Sequence, residues 1–260
     1  MKILVAVKQV PERDAPLHVA ADGKWIDDSD VNWTINEPDA YALEEALRLK
    51  EAAGAGEVIV LCAGPERVTS TLREALAKGA DRAVHIEADD LEERDTLQLA
   101  EMLAEAVKAE APDLILTGLQ SDDLGLGQTG VVLAALLGIP CATIIKQVEM
   151  VGGGLGSSLR VKRELEDGWF QHVEMPLPAL LTIQSGGNKL RYATLMGIKK
   201  AKTKETKTVT PSAVESGGRA VEMERVYLPE KVKRTEMLTG SAAQVAAQIV
   251  EKLKFEVRVL

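Results

Sequence analysis

Short β-rich runs alternating with helical runs over the first 145 residues constrain this chain more than any other feature of its sequence. Apolar stretches at 3–7, 58–62, 83–86, 114–117 and 141–145 read as buried strands, and 38–53, 66–78, 96–109 and 131–137 between them read as helices. In the first helix Ala42, Leu43, Ala46, Leu47 and Leu49 share one side, with Glu44, Glu45, Arg48 and Lys50 largely elsewhere. Gly54 and Gly56 close that helix, and Gly79 closes the next. Strands joined by helical crossovers run parallel in one sheet. The expected fold class is therefore α/β: a doubly wound, mainly parallel sheet.

The rhythm changes past residue 145. Strand-like runs at 147–151, 159–165 and 169–174 are separated by the turn clusters GGGLGSS and EDG, which predicts a small antiparallel addition over 145–175. The apolar run 180–183 follows Pro176 and Pro178 and can return to the main sheet. Residues 201–233 have few apolar clusters and carry Pro211, Gly217, Gly218 and Pro229, so 201–260 reads as an extended arm followed by a helix capped by Ser241 and running to Lys252. The domain expected before the arm spans 1–200.

Composition narrows the functional classes. With 46% hydrophobic and 27% charged residues the chain can bury a sizeable core, and a formal net charge of −9 argues against a broad nucleic-acid-binding surface. Its apolar runs are too short to span a bilayer, so no membrane insertion is expected. Only a few apolar residues separate Lys2 from Lys8, too short a core for a signal peptide, which makes a cytoplasmic location the expectation. Cys62 and Cys141 sit in apolar surroundings and read as buried free thiols. His18, His85 and His172 have no metal-ligand spacing, and no serine or cysteine has a nucleophile context. No catalytic or metal site is expected.

Ligands of open α/β sheets sit beyond the carboxyl ends of the strands, which directs attention to the loop GLQSDDLGLGQTG at 118–130. Its glycines let a backbone approach a ligand, and the helix that follows offers unpaired N–H groups and a positive dipole end to a phosphate. A tight strand-to-helix connection with Thr129 as N-cap explains the same residues. The pair Asp122 and Asp123 has no evident partner, so one of them is expected to cap backbone amides or to meet solvent. Leu195 and Met196 lie between the polar turn SGGNK and a lysine run, either as an interface anchor or as the core face of a short helix.

Several motifs in order then resemble the β subunit of electron transfer flavoprotein, over residues 2 to about 204: ILVAVKQV at the start, EEALRLKE from Glu44, GADR from Gly79, the 118–130 loop and RYATL from Arg191. Most specific is VKRELEDGWFQHVEMPLPALLT, 161–182. The resemblance implies an electron-carrier subunit without catalytic residues of its own. Such a subunit pairs with a larger α subunit that holds most of the redox FAD. It docks flavin dehydrogenases, such as the acyl-CoA dehydrogenases of fatty acid β-oxidation, and the electrons pass on to a membrane quinone oxidoreductase. It also implies AMP bound by this subunit, at Ala6, at Asn36, Glu37, Pro38 and Asp39, at Ala63, and along Ser121, Asp122, Asp123, Leu124, Gly125, Leu126, Gly127, Gln128, Thr129, Gly130, Val131 and Val132.

In this resemblance residues 185–200 form the partner-recognition loop, with Arg191, Tyr192, Leu195 and Met196 at its tip and Glu164 as a further contact, and the 201–260 arm packs on the α subunit. The electron-bifurcating branch carries a second FAD in place of AMP and resembles Asp-x-x-Thr-x-Gln-Val in the loop. Here the order is Gly127-Gln128-Thr129-Gly130, which favours AMP. A stand-alone adenine-nucleotide-binding protein is the remaining alternative, and it gives the 161–182 stretch and the arm no role.

Overall fold

The structure, a computed structural model, describes residues 1–152, 158–212, 219–229 and 235–259. Most of the GGGLGSS turn and, from the arm, residues 213–218 and 230–234 therefore lie outside the described residues. The chain divides into two compact units, Met1–Val226 and Tyr227–Leu260.

The first unit opens with β1 (Lys2–Ala6). A small excursion follows, in which β2 (Gln9–Pro11) pairs antiparallel with β5 (Trp33–Ile35) and encloses the β3 (His18–Val19) and β4 (Ile26–Asp27) pair. Next come α1 (Glu37–Ala53), β6 (Glu57–Gly64), α2 (Thr69–Lys78), β7 (Arg82–Glu87), α3 (Thr96–Glu110), β8 (Leu114–Gly118) and α4 (Thr129–Leu137). Then β9 (Cys141–Val151), β10 (Ser158–Glu164), β11 (Phe170–Pro176), β12 (Ala179–Ile183), α5 (Leu195–Ala201) and β13 (Thr206–Val209) complete the sheet and its last helix.

The nine-stranded sheet has the order β11-β10-β9-β12-β8-β1-β6-β7-β13. Every pairing from β9 across to β13 is parallel, and β10 and β11 add antiparallel strands at one edge. This is the expected α/β class. Strand residues alternate between two cores: Ile3, Val5, Val58 and Val60 pack with Leu43, Leu47, Leu72 and Leu76 of α1 and α2, while Leu4, Ile59 and Leu61 pack with Leu103, Val107 and Leu133 of α3 and α4. Burial on both faces explains why these strands read as continuous apolar runs. The chain moves outward from β1 to β6 and β7, then crosses to β8 on the other side of β1. With right-handed crossovers that reversal places α1 and α2 on one face and α3 and α4 on the other, and opens the crevice at the carboxyl ends of β1 and β8.

Several local expectations change. Residues 141–151 form one strand whose first part runs parallel to β12 and whose second runs antiparallel to β10. Ile144, with φ of 60°, marks the register shift between them. Cys62 is buried, and burial pushes its thiol up to about 12; Cys141 is exposed at the start of β9, contrary to the reading of both as buried. Glu44 and Glu45 are also buried, for reasons given below. Thr206–Val209, read as arm, is an edge strand beside β7.

In the second unit Ser241 caps α6 (Ala242–Lys252), its side chain accepting from the Gln244 N–H while Gln244 bonds back to the Ser241 N–H. Val250, Phe255 and Val257 are exposed in this unit. Among the described residues no helix is long and apolar enough to cross a membrane.

The close seating of α4 is testable. A Cβ at Gly130 would stand 2.7 Å from Thr117 Oγ1 and 2.9 Å from Thr182 Cγ2. Gly130→Ala is expected to cost about 1 to 3 kcal/mol through overpacking, read as a lower urea midpoint with an unchanged m-value.

Candidate functional site

The excursion after β1 folds back so that the Asn36 N–H donates to the Lys8 carbonyl at 2.9 Å, which sets the start of α1 beside the end of β1. Asp39, in the first turn of α1, is buried, and its carboxylate accepts the Lys8 N–H at 2.7 Å and the Gly118 N–H at 2.8 Å. One side chain therefore joins the ends of β1 and β8. The approach leaves no room at Gly118, where a Cβ would lie 2.7 Å from Pro38 Cβ and 2.9 Å from the Asp39 nitrogen.

Asn36 secures the loop above this junction. Its Nδ2 donates to the Gln120 carbonyl at 3.0 Å, and its Oδ1 accepts the Asp122 N–H at 2.9 Å. Asp122 in turn accepts the Glu37 N–H at 3.2 Å, so its carboxylate lies at the positive end of the α1 dipole. Asp123 accepts Lys8 Nζ at 2.6 and 2.7 Å and the Leu124 N–H at 2.7 Å. Burial alone would raise the Asp123 carboxyl, but Lys8, the Ser121 side chain and the Leu124 amide together hold it below the usual carboxylate range. The sequence named no side-chain partner for either carboxylate and expected one of them to cap backbone amides or meet solvent; Asp122 caps the Glu37 amide, and the fold supplies Lys8 for Asp123.

Beyond Asp123 the loop turns back on itself. The Gly125 N–H donates to the Ser121 carbonyl at 2.9 Å, and Gly125 and Gly127 take φ of 65° and 63°, in the left-handed region that favours glycine. Gln128, not Thr129, is the N-cap of α4, and its side chain caps no backbone group. The first N–H groups of a helix have no intrahelical partner, so α4 starts with donors suited to an anion. Leu124, Leu126 and Val131 are exposed along this stretch. Ala6 pairs with Leu61, and Ala63 lies two residues further along β6, so both stand at the carboxyl ends of their strands, with Gly118 at the end of β8. Ala6, residues 36–39, Ala63 and residues 121–132 thus lie along one rim of the sheet.

A second group of residues sits on α1. Arg191 forks onto Glu44, with Nε at 2.8 Å and the second nitrogen at 2.9 Å, and reaches Glu51 at 2.6 Å; Asn188 donates to Glu45 at 2.9 Å. This segment covers Glu44 and Glu45, which is why two helical glutamates are buried. Burial raises the Glu45 carboxyl against the pull of Asn188, whereas the Arg191 bond lowers that of Glu51. Thr194 then caps α5 by accepting the Gly197 N–H at 3.0 Å. Gly197 packs against the Ala77 carbonyl of α2 and Ala201 is buried, while Tyr192, Leu195 and Met196 are 92%, 83% and 62% exposed. Leu195 is therefore not the core face of a short helix. Glu164 lies elsewhere, on β10, with its carboxylate 3.8 Å from Lys146 Nζ.

The sequence profile of the electron transfer flavoprotein domain matches residues 24–214. The chain belongs to the electron transfer flavoprotein family. It is 40% identical over 259 residues to the electron transfer flavoprotein subunit beta of Methylophilus methylotrophus, covering 96% of this chain and 97% of that protein. Over the full length of both chains it is 38% identical to the subunit beta of Bradyrhizobium diazoefficiens and 35% identical to that of Bacillus subtilis. These relatives are electron-carrier subunits, and the match to the β type runs the length of the chain.

Asp39 provides a test of this junction. Burial pushes its carboxyl up to about 7, against the pull of the Lys8 and Gly118 amides. A folded value above the unfolded one means that the native chain keeps a proton the unfolded chain has released. Its contribution to stability is therefore full below about pH 4 and is lost as pH rises towards 7. Asp39→Asn sets an NH2 group against one of two amide donors, an expected loss of about 1 to 3 kcal/mol. Urea unfolding from pH 4.5 to 8 should show the wild-type advantage shrinking with rising pH; a constant difference contradicts the assignment.

Proposed function

We propose that this chain is the β subunit of a heterodimeric electron transfer flavoprotein. In this reading it binds AMP in the β1/β8 crevice and docks flavin dehydrogenases through residues 185–200. Electrons then pass by way of an FAD held mainly by the α subunit to a membrane quinone oxidoreductase. The observation that carries this reading is the alignment of Ala6, Asn36–Asp39, Ala63 and the 121–132 loop along one rim at the topological switch point of the sheet.

The residues present fit an adenine mononucleotide. Left-handed glycines at 125 and 127 keep side chains out of the loop, the leading amides of α4 lack a side-chain cap, and both loop carboxylates are engaged within the protein. The FAD supplies the electron-accepting and electron-donating chemistry when bound. This chain's contribution is to hold the nucleotide, to pair with the α subunit and to present a docking tip. Arg191 and Asn188 fasten that tip to α1, and Leu195 stands clear as an apolar plug. Lys199 and Lys200 on α5 add positive charge that steers an acidic partner. Beyond the β13 edge strand, the rest of 201–260 serves as the arm on the α subunit, and the exposed Val250, Phe255 and Val257 are apolar surface for that contact. A cytoplasmic location accords with this role.

Nucleotide content of the heterodimer copurified from its own cells tests the assignment. One AMP and one FAD are expected per heterodimer. Two FAD molecules mean the bifurcating type, and a chain that recruits no α subunit sinks the reading altogether.

Leu195→Ala tests the docking tip. It removes about 1.5 to 3 kcal/mol of burial at the interface, roughly a ten- to hundred-fold loss of dehydrogenase affinity, with the melting temperature and AMP content unchanged. Normal dehydrogenase-coupled flavin reduction in that variant removes Leu195 from the interface.

A further inference from the structure

Lys8 lies within the opening ILVAVKQV motif but is assigned no role by the resemblance, yet it makes three contacts at the nucleotide crevice. Its N–H donates to Asp39, its carbonyl accepts the Asn36 N–H, and its Nζ bonds both oxygens of Asp123. The backbone at Lys8 is thus fixed by the junction that defines the crevice. Its side chain, 40% exposed, crosses from the end of β1 to the loop after β8, where the Asp123 side chain is 20% exposed.

We propose that Lys8 is the positioning residue of the nucleotide loop, neutralising Asp123 so that the loop accepts an anionic phosphate. This rests on the nucleotide reading above. Asp122 and Asp123 are consecutive, and they precede the uncapped start of α4 by only a few residues. Asp122 is bonded to a backbone amide, which satisfies its oxygen and leaves its charge in place. An unpaired Asp123 would put a second negative charge in the same loop, opposing the phosphate that the α4 amides attract. The ion pair at 2.6 Å cancels that charge and also ties the middle of the loop to β1. Lys8 acts through Asp123, not by touching the nucleotide.

The test uses the α/β heterodimer, stripped of nucleotide and titrated calorimetrically with AMP and, separately, with adenosine, which lacks the phosphate. For Lys8→Met, AMP affinity is expected to fall about ten-fold or more while adenosine affinity stays within about two-fold of wild type. The double variant Lys8→Met/Asp123→Asn should recover AMP affinity to within about three-fold, because the charge that Lys8 cancels is gone. Lys8→Arg, which keeps the cation, should retain AMP.

An equal loss of AMP and adenosine in Lys8→Met overturns the proposal, since it reports a damaged crevice. A double variant as weak as Lys8→Met also overturns it, since Lys8 would then bind phosphate itself. If Lys8→Met fails to assemble, the double variant and Lys8→Arg decide the matter by the same criteria. Wild-type heterodimer that takes up no AMP defeats the nucleotide reading, a different failure from any of these.

Discussion

The buried carboxylate of Asp39 accepts one amide from the end of β1 and another from the end of β8, and the geometry of the crevice follows from that pair of bonds. The two strands sit where the winding of the sheet reverses, so their outgoing chains diverge to opposite faces. Divergence opens a cleft without fixing its depth. Asp39 fixes it by drawing both strand ends onto the first turn of α1, a contact close enough that residue 118 has no room for a side chain. The Asn36 side chain then accepts the Asp122 N–H across the same gap while the Asp122 carboxylate accepts the Glu37 N–H, and the loop above inherits its position from these bonds.

The proposed docking tip is built on the same helix by a different kind of interaction. Glu44 and Glu51 of α1 take the Arg191 guanidinium, and Glu45 takes Asn188, so charge pairing holds the 188–191 segment against a helix face. Because the fastening residues precede the tip, the apolar side chains of Tyr192, Leu195 and Met196 are free to face outward. Helix α1 therefore connects the two candidate sites. Its first turn shapes the crevice and its later turns carry the 188–191 segment.

Membership of the electron transfer flavoprotein family fits a chain whose chemistry lies in binding. The ionisable groups at the crevice are engaged with each other or with backbone amides: Asp123 with Lys8, Asp122 with the Glu37 amide, Asp39 with two strand ends. Such an arrangement suits a site that holds a nucleotide in place.

Much of the fold was legible in the sequence because it rests on local periodicity. Doubly buried strands give continuous apolar runs, and amphipathic helices between them permit little except a parallel sheet, so β1, β6, β8 and β12 stood where the runs predicted. The glycine-rich loop was equally visible, since left-handed turns and close backbone approach demand glycine. What tertiary structure alone decided were the long-range pairings. Lys8 and Asp123 are 115 positions apart, and Arg191 and Glu44 are 147 apart. No periodicity links such residues, so Asp123 read as partnerless and Glu44 as solvated. The two- and three-residue strands of the excursion were too short to leave a pattern, although they carry Asn36 back to Lys8. From the residues alone Leu195 read as core or as anchor, because exposure is a property of what the rest of the chain covers, and only the packing of Gly197 and Ala201 turned it outward.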